Sequence, residues 1–172
     1  MRGTTLLQHT VDQAKASRAR EVSVVLGSGA GEIQNKLHAE HVSIISNPKW
    51  NEGMSTSIRA GIASLSDSVD AAILSLCDQP FLTSGIFDSL IETFSSSGKS
   101  IVTCEYGGQI GPPVLFANTH FPKLYALKGD TGAKKIVSEH EYLVARVSFP
   151  LGSIDLDTPE DYKKFIQKEF GM

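Results

Sequence analysis

Along this chain two hydrophobic rhythms take turns. Leu6, Leu7, Thr10, Val11 and Ala14 recur at three- and four-residue spacing, which predicts a helix over 4–17. EVSVVLG (21–27) follows as a strand, GEIQNKLHA (31–39) as a helix and VSIISN (42–47) as a second strand. STSIRAGIASL (55–65) sets Ile58, Ile62 and Leu65 on one helical face. AAILSLC (71–77) shows no alternation, as expected of a strand buried on both faces. SGIFDSLIETF (84–94) predicts a helix, SIVTCEY (100–106) and PVLFA (113–117) strands joined by a glycine-rich link. HFPKLYAL (120–127) reads as a short helix broken near Pro122, and TGAKKIVSEH (131–140) as another helix. LVARVSF (143–149) closes the strands and TPEDYKKFIQKEF (158–170) the helices. Such alternation predicts an α/β sheet covered on both faces. The chain opens on a helix, with no strand before it.

Length and composition narrow the class. At 172 residues the chain fits a single domain, 1–172, with a sizeable core. Apolar residues make up 41% and charged residues 20%, an ordinary globular mix. The formal net charge of -3, with basic pairs only at Lys134-Lys135 and Lys163-Lys164, argues against nucleic-acid and membrane-surface roles. No stretch is long and apolar enough to cross a bilayer, and the N-terminus lacks a signal peptide's apolar run. Cys77 and Cys104 lie in strand-like runs and read as buried free thiols. The expected location is cytoplasmic.

Candidate chemistry gathers where the predicted strands end, because open α/β sheets bind ligands at their carboxyl edge. Asp78 stands there, and Pro80 halts the strand. A carboxylate in that place suits Mg²⁺, which prefers oxygen ligands; it equally suits a turn cap. In SIDLDTPEDY, Thr158 reads as an N-cap, Pro159 as the first helical residue and Asp161 as the third. Asp155 and Asp157 precede that cap and are not needed to start the helix. Carboxylates from these two segments could share one Mg²⁺, which would hold a nucleoside triphosphate. In NPKWNEGMSTSIRAG (47–61), Gly53 allows close backbone approach. Ser55, Thr56 and Ser57 suit either ordinary capping or an anion, ribose or base edge at a helix start. Trp50 reads as a packing residue.

YGGQIGPPVLF (106–116) is open to a plain hairpin turn or to a wall of bare backbone for a substrate. LKGDTGAKK (127–135) offers a helix start at Thr131 or Gly132, with two lysines that oppose the helix dipole. LGSGAGE (26–32) imitates a dinucleotide loop but spells G-x-G-x-G, and no acidic residue ends the next strand. The five histidines form no zinc set with the cysteines, and no G-x-S-x-G elbow is present.

Five pieces in order, NPKWNEGMSTSIRAGI, LSLCDQPFL, GGQIGPPVLF, LKGDTGAKKI and IDLDTPEDY, resemble the MobA-like nucleotidyltransferases. The branch they resemble most is molybdenum cofactor cytidylyltransferase and its relatives linked to xanthine dehydrogenase maturation. The resemblance covers the chain from about Leu6 to its end. It implies a three-layer, mixed, mostly parallel sheet of the nucleotide-diphospho-sugar-transferase (GT-A-like) type. It implies an enzyme in which a molybdopterin phosphate attacks the α-phosphorus of CTP and pyrophosphate leaves. By the same resemblance Asp78 and Asp157 are catalytic and hold Mg²⁺, with Asp155 an adjacent ligand. Gly53, Met54, Ser57 and Asp78 fall to the nucleotide, and Gly111, Pro112, Asp130 and Lys134 to the acceptor. The implied partners are CTP or GTP, a molybdopterin-type acceptor and a molybdoenzyme or maturation factor.

Two departures bear on that reading. Pro112 stands where many relatives carry a histidine between glycine and proline. The family pattern also opens with a strand and a loop of the form L-A-A-G-x-S-x-R-M-G, followed by a lysine, and TTLLQHTVDQA matches the helix after it. The fold is therefore expected to lack its first strand, with the flanking strands closing the space or a partner chain covering it. Two other functions stay open at this point: a non-catalytic binding or maturation module, and transfer to another phosphorylated small molecule.

Overall fold

The computed structural model describes residues 4–170. The chain runs α1 (Leu6–Ala16), β1 (Val22–Leu26), α2 (Ala30–Lys36), β2 (Val42–Ser46), α3 (Met54–Ala63), β3 (Ala71–Leu74), α4 (Ser84–Ser97), β4 (Ile101–Tyr106), β5 (Gln109–Ala117), α5 (Phe121–Tyr125), α6 (Lys134–Glu139), β6 (Val144–Ser148) and α7 (Pro159–Phe170). Thr5 caps α1, its hydroxyl accepting from the Gln8 amide at 3.1 Å. Pro122 does not break a helix; it sits in the first turn of α5, where its missing N–H costs nothing.

The strands form two sheets, β1-β2 and β3-β5-β4-β6. β1 and β2 are parallel, as are β4 and β6, while β5 runs antiparallel to both β3 and β4. Gly107 and Gly108, both at positive φ, make the two-residue turn between β4 and β5. The ladder slips between Thr103, opposite Val114, and Cys104, opposite Gly111. The extra residues are Pro112 and Pro113, which have no N–H to give a ladder, so the strand bulges there.

Helices cover both faces of the four-stranded sheet. Ile101, Val114 and Phe116 join Ile62 of α3, Leu124 of α5 and Ile136 of α6 on one side. Val102, Cys104 and Leu115 join Phe87 and Leu90 of α4 and Phe149 on the other. Adjacent residues of β5 thus serve opposite faces, the two-residue period of a strand. α7 docks through Phe165, whose ring meets that of Phe81 edge-on at 5.6 Å.

The edges of β1 and β3 do not close on each other. Among the described residues β1 pairs with β2 and β3 with β5, and each leaves its other edge unpaired. Two helices hold the sheets at this spacing by touching both. Val11 of α1 packs on Val24 and Leu26, while Ala14 of α1 packs with the α4 side of the larger sheet. Gly61 of α3 lies against Val25, where an added Cβ would stand 3.3 Å from Cγ2, and Ile62 joins the larger core. The open edge changes β3 as well. Its residues are half-buried rather than enclosed, it ends at Leu74 instead of Cys77, and both Leu76 and Cys77 are exposed. Cys104 alone is the buried thiol expected of the pair.

Candidate functional site

The turn after β3 brings the predicted carboxylates together. The Asp78 carbonyl accepts from the Leu156 amide at 2.9 Å, which sets Asp155 and Asp157 on either side of that contact. Asp78 Oδ1 is buried without a hydrogen-bond partner. Burial holds the Asp78 carboxyl above its ordinary range, and the neighbouring Asp157 and then Asp155 add to the rise, against a lowering by a backbone hydrogen bond. An orphaned carboxylate oxygen in the field of two more carboxylates is donor chemistry that suits a hard divalent cation, which would satisfy the oxygen and relieve the repulsion. Among the described residues no three Asp, Glu, His or Cys side chains form a group that could hold a metal ion by themselves, so such a cation would take its remaining ligands from outside the chain.

Thr158 and Asp161 take the structural part expected of them. The Thr158 hydroxyl accepts from the Asp161 amide at 3.1 Å, and Asp161 Oδ2 accepts from the Thr158 amide at 3.0 Å. This reciprocal box starts α7 and leaves Asp155 and Asp157 exposed and free of capping duty.

A second cluster joins the loop after β2 to the loop before α6. α3 begins at Met54, with Gly53 as its cap residue, so none of the three hydroxyls caps it by side chain. They turn inward instead. Buried Asn47 donates through Nδ2 to Thr56 Oγ1 at 2.8 Å and Ser57 Oγ at 3.0 Å, and its Oδ1 accepts from the Lys49 amide at 3.0 Å. Thr56 in turn donates to the carbonyls of Lys49 and Gly53. Gly53 sits at φ 109°, and a Cβ there would lie 2.4 Å from the Gly129 carbonyl carbon and 2.7 Å from the Asp130 nitrogen. The Ser55 amide donates to the Gly129 carbonyl at 3.1 Å. The proposed nucleotide residues Gly53, Met54 and Ser57 therefore share a wall with Asp130. Lys134 opens α6 and is exposed, later than the expected start at Thr131 or Gly132.

Gly111 and Pro112 stand with the carboxylates rather than with Asp130. Gly111 is buried under the Tyr106 phenol, where a Cβ would lie 2.0 Å from the hydroxyl oxygen. The glycine-rich stretch is thus a hairpin turn at 107–108 and a covered bulge at 111. Pro112 is half-buried, and its carbonyl accepts from Gln79 Nε2 at 3.3 Å. Trp50 packs its Cβ and Cγ on Gly27 while half of its surface stays exposed, so the loop at 26–32 serves as a packing surface for Trp50. Asn47, Gln79 and Tyr106 are the residues that sequence reasoning left out. Asn47 carried one legible signal, its place directly at a strand's carboxyl end.

The MobA-like NTP transferase domain family matches residues 1–144, and the chain belongs to it. It is 30% identical over 117 residues to the purine catabolism protein PucB of Bacillus subtilis. That match takes in 64% of this chain and 55% of the length of PucB. Among solved structures, the homologue of Mycobacterium tuberculosis Rv0371c from Mycobacterium sp. strain JC1 superposes with a TM-score of 0.82 at 27% identity, over 96% of this chain and 83% of that one. Rv0371c of M. tuberculosis H37Rv itself superposes with a TM-score of 0.84 at 25% identity, over 97% and 86%. The fold is the mixed α/β fold of the nucleotidyltransferases. Among the described residues no helix is long and apolar enough to cross a membrane.

Proposed function

We propose that this domain transfers CMP from CTP to a molybdopterin-type phosphate, with Mg²⁺ as cofactor and pyrophosphate as the leaving group. The observation that carries the reading is Asp78, its buried oxygen without a partner and its charge crowded by Asp157 and Asp155. Support for the acceptor comes from the five ordered motifs. It also comes from PucB, a purine catabolism protein, since the branch those motifs resemble is linked to xanthine dehydrogenase and xanthine is a purine.

Asp78 and Asp157, with Asp155 beside them, would hold the cation, whose part is to neutralise the triphosphate. An oxygen of the acceptor phosphate forms the new bond to the α-phosphorus as the bond to the β-phosphate oxygen breaks. The attacking phosphate is already anionic at neutral pH, so the chain needs to supply no general base. Its residues orient and enclose. The Asn47 network fixes the loop bearing Gly53, Met54 and Ser57 against the nucleoside, and Pro112 lines the acceptor side. Asp130, beside the Gly53 turn, and Lys134 would border the acceptor.

Pyrophosphate release from CTP, and separately from GTP, with molybdopterin and Mg²⁺ tests the reading. Turnover that falls about 100-fold or more in Asp78→Ala is the expected result. Turnover that ignores Asp78, or none with either nucleotide, refutes it. The unpaired edges of β1 and β3 favour a second reading, a module that retains nucleotide or pterin without transfer. Binding by calorimetry without pyrophosphate release would select it.

A further inference from the structure

Gln79 follows Asp78 directly, yet its side chain turns away from solvent and is 3% exposed. Its Nε2 donates to the Gly152 carbonyl at 2.8 Å and to the Pro112 carbonyl at 3.3 Å. One carboxamide thereby joins the Asp78 turn, the bulge of β5 and the segment that leads to Asp155 and Asp157. Two glycines keep room for the rings that cover it. A Cβ on Gly152 would lie 2.5 Å from the Phe149 ring and 2.6 Å from the Tyr106 ring, and Gly111 has no more space. Tyr106, edge-on to Phe149 at 6.1 Å, closes the cluster from above.

Two ties then set the carboxylates relative to one another: the Leu156 amide on the Asp78 carbonyl, and Gln79 on the Gly152 carbonyl. We infer that Gln79 is the positioning residue of the carboxylate cluster, a clamp that presents Asp78 and Asp157 to one cation at fixed spacing. The inference rests on the reading of that cluster as a cation site. Only a carboxamide of this length serves. A carboxylate has no hydrogen to give either carbonyl, and an apolar side chain takes the Gln79 donor from both, including the buried bond to Gly152. Groups that orient metal ligands without touching the metal typically change affinity 10- to 100-fold when removed.

The test is Mn²⁺ binding to the whole chain by calorimetry, with the metal alone and no nucleotide. Gln79→Met is expected to lose about tenfold or more in affinity. Gln79→Asn, one methylene too short to span both carbonyls, is expected to lose affinity too and decides the matter if Gln79→Met does not fold. Val102→Ala, fully buried in the same core but with no part in the Gln79 hydrogen bonds, is the stability control. It is expected to lower the melting temperature and to keep Mn²⁺ affinity within about twofold of the parent. Parental affinity in the Gln79 variants, or an equal loss in Val102→Ala, overturns the clamp and leaves the cation site standing. Mn²⁺ binding that does not depend on Asp78 overturns the cation site itself, and the clamp with it.

Discussion

The β1–β2 pair and the four-stranded sheet hold their halves of the site by different means. The four-stranded sheet carries Phe116, Ile101, Val102 and Cys104, all fully buried, with helices packed on both faces. The smaller sheet offers Val24 and Leu26 to Val11 of α1, and every residue of its β2 strand is half-buried or exposed. What steadies the loop beyond β2 is polar: Asn47, Thr56 and the carbonyls of Lys49 and Gly53. One half of the site thus stands on a packed core, to which the Gln79 and Leu156 ties are fastened. The other is set by a few hydrogen bonds at the end of a thin sheet.

Truncations in the two cores should separate most widely. Phe116→Ala is expected to cost about 3–5 kcal/mol and Leu26→Ala about 2 kcal/mol, because the thinner layer can collapse around the smaller residue. Denaturant unfolding measures both, and equal costs would break the contrast. Asn47→Ala comes next. It leaves Thr56 and Ser57 without their donor in a buried setting and should cost about 1–2 kcal/mol. Nucleotide affinity should fall while Mn²⁺ affinity, the quantity expected to fall at Gln79, holds; loss of both would mean that the halves are not independent. Native-state hydrogen exchange gives a finer measure. The amides of β1 and β2 should open at least ~1 kcal/mol more readily than those of β4 and β5, and matched protection would count against separate stability.

Local signals were legible in the sequence and remote ones were not. The Thr158–Asp161 box was readable because both partners lie within one helical turn. The approximate bounds of α1, β1 and β4 followed from hydrophobic period alone. β3 reads as enclosed because AAILSLC, apolar but for Ser75, shows no alternation, yet enclosure depends on what pairs with its edge, and the strand's own letters do not record that. Asp78 was found by its place at a strand end. Gln79 beside it was not, since its partners lie 33 and 73 residues away. The same holds for Tyr106, whose meaning comes from two glycines at which it leaves no room for a side chain.

The smallest expected effect concerns Asp78 as a charge. Burial first, and then Asp157 and Asp155, hold its carboxyl above the ordinary value in the folded protein, outweighing the lowering by a backbone hydrogen bond. In the unfolded chain the same group ionises near the usual aspartate value. Between those two points the folded state keeps a proton that the unfolded state has released. The stability this contributes is complete below the unfolded value and is lost as pH rises through the folded one. Above it, metal-free protein carries an ionised, half-buried carboxylate that no cation pairs among the described residues. Asp78→Asn should therefore be the more stable protein at neutral pH in EDTA, by less than either core truncation costs, and the difference should shrink on acidification. Mn²⁺ should then reverse the order, since a ligand that binds the folded state stabilises the protein that can hold it. Melting curves across pH, with and without the metal, report both. An Asp78→Asn protein that is less stable at neutral pH without metal would mean the carboxylate is already satisfied, and that the packed half of the site does not wait for a cation.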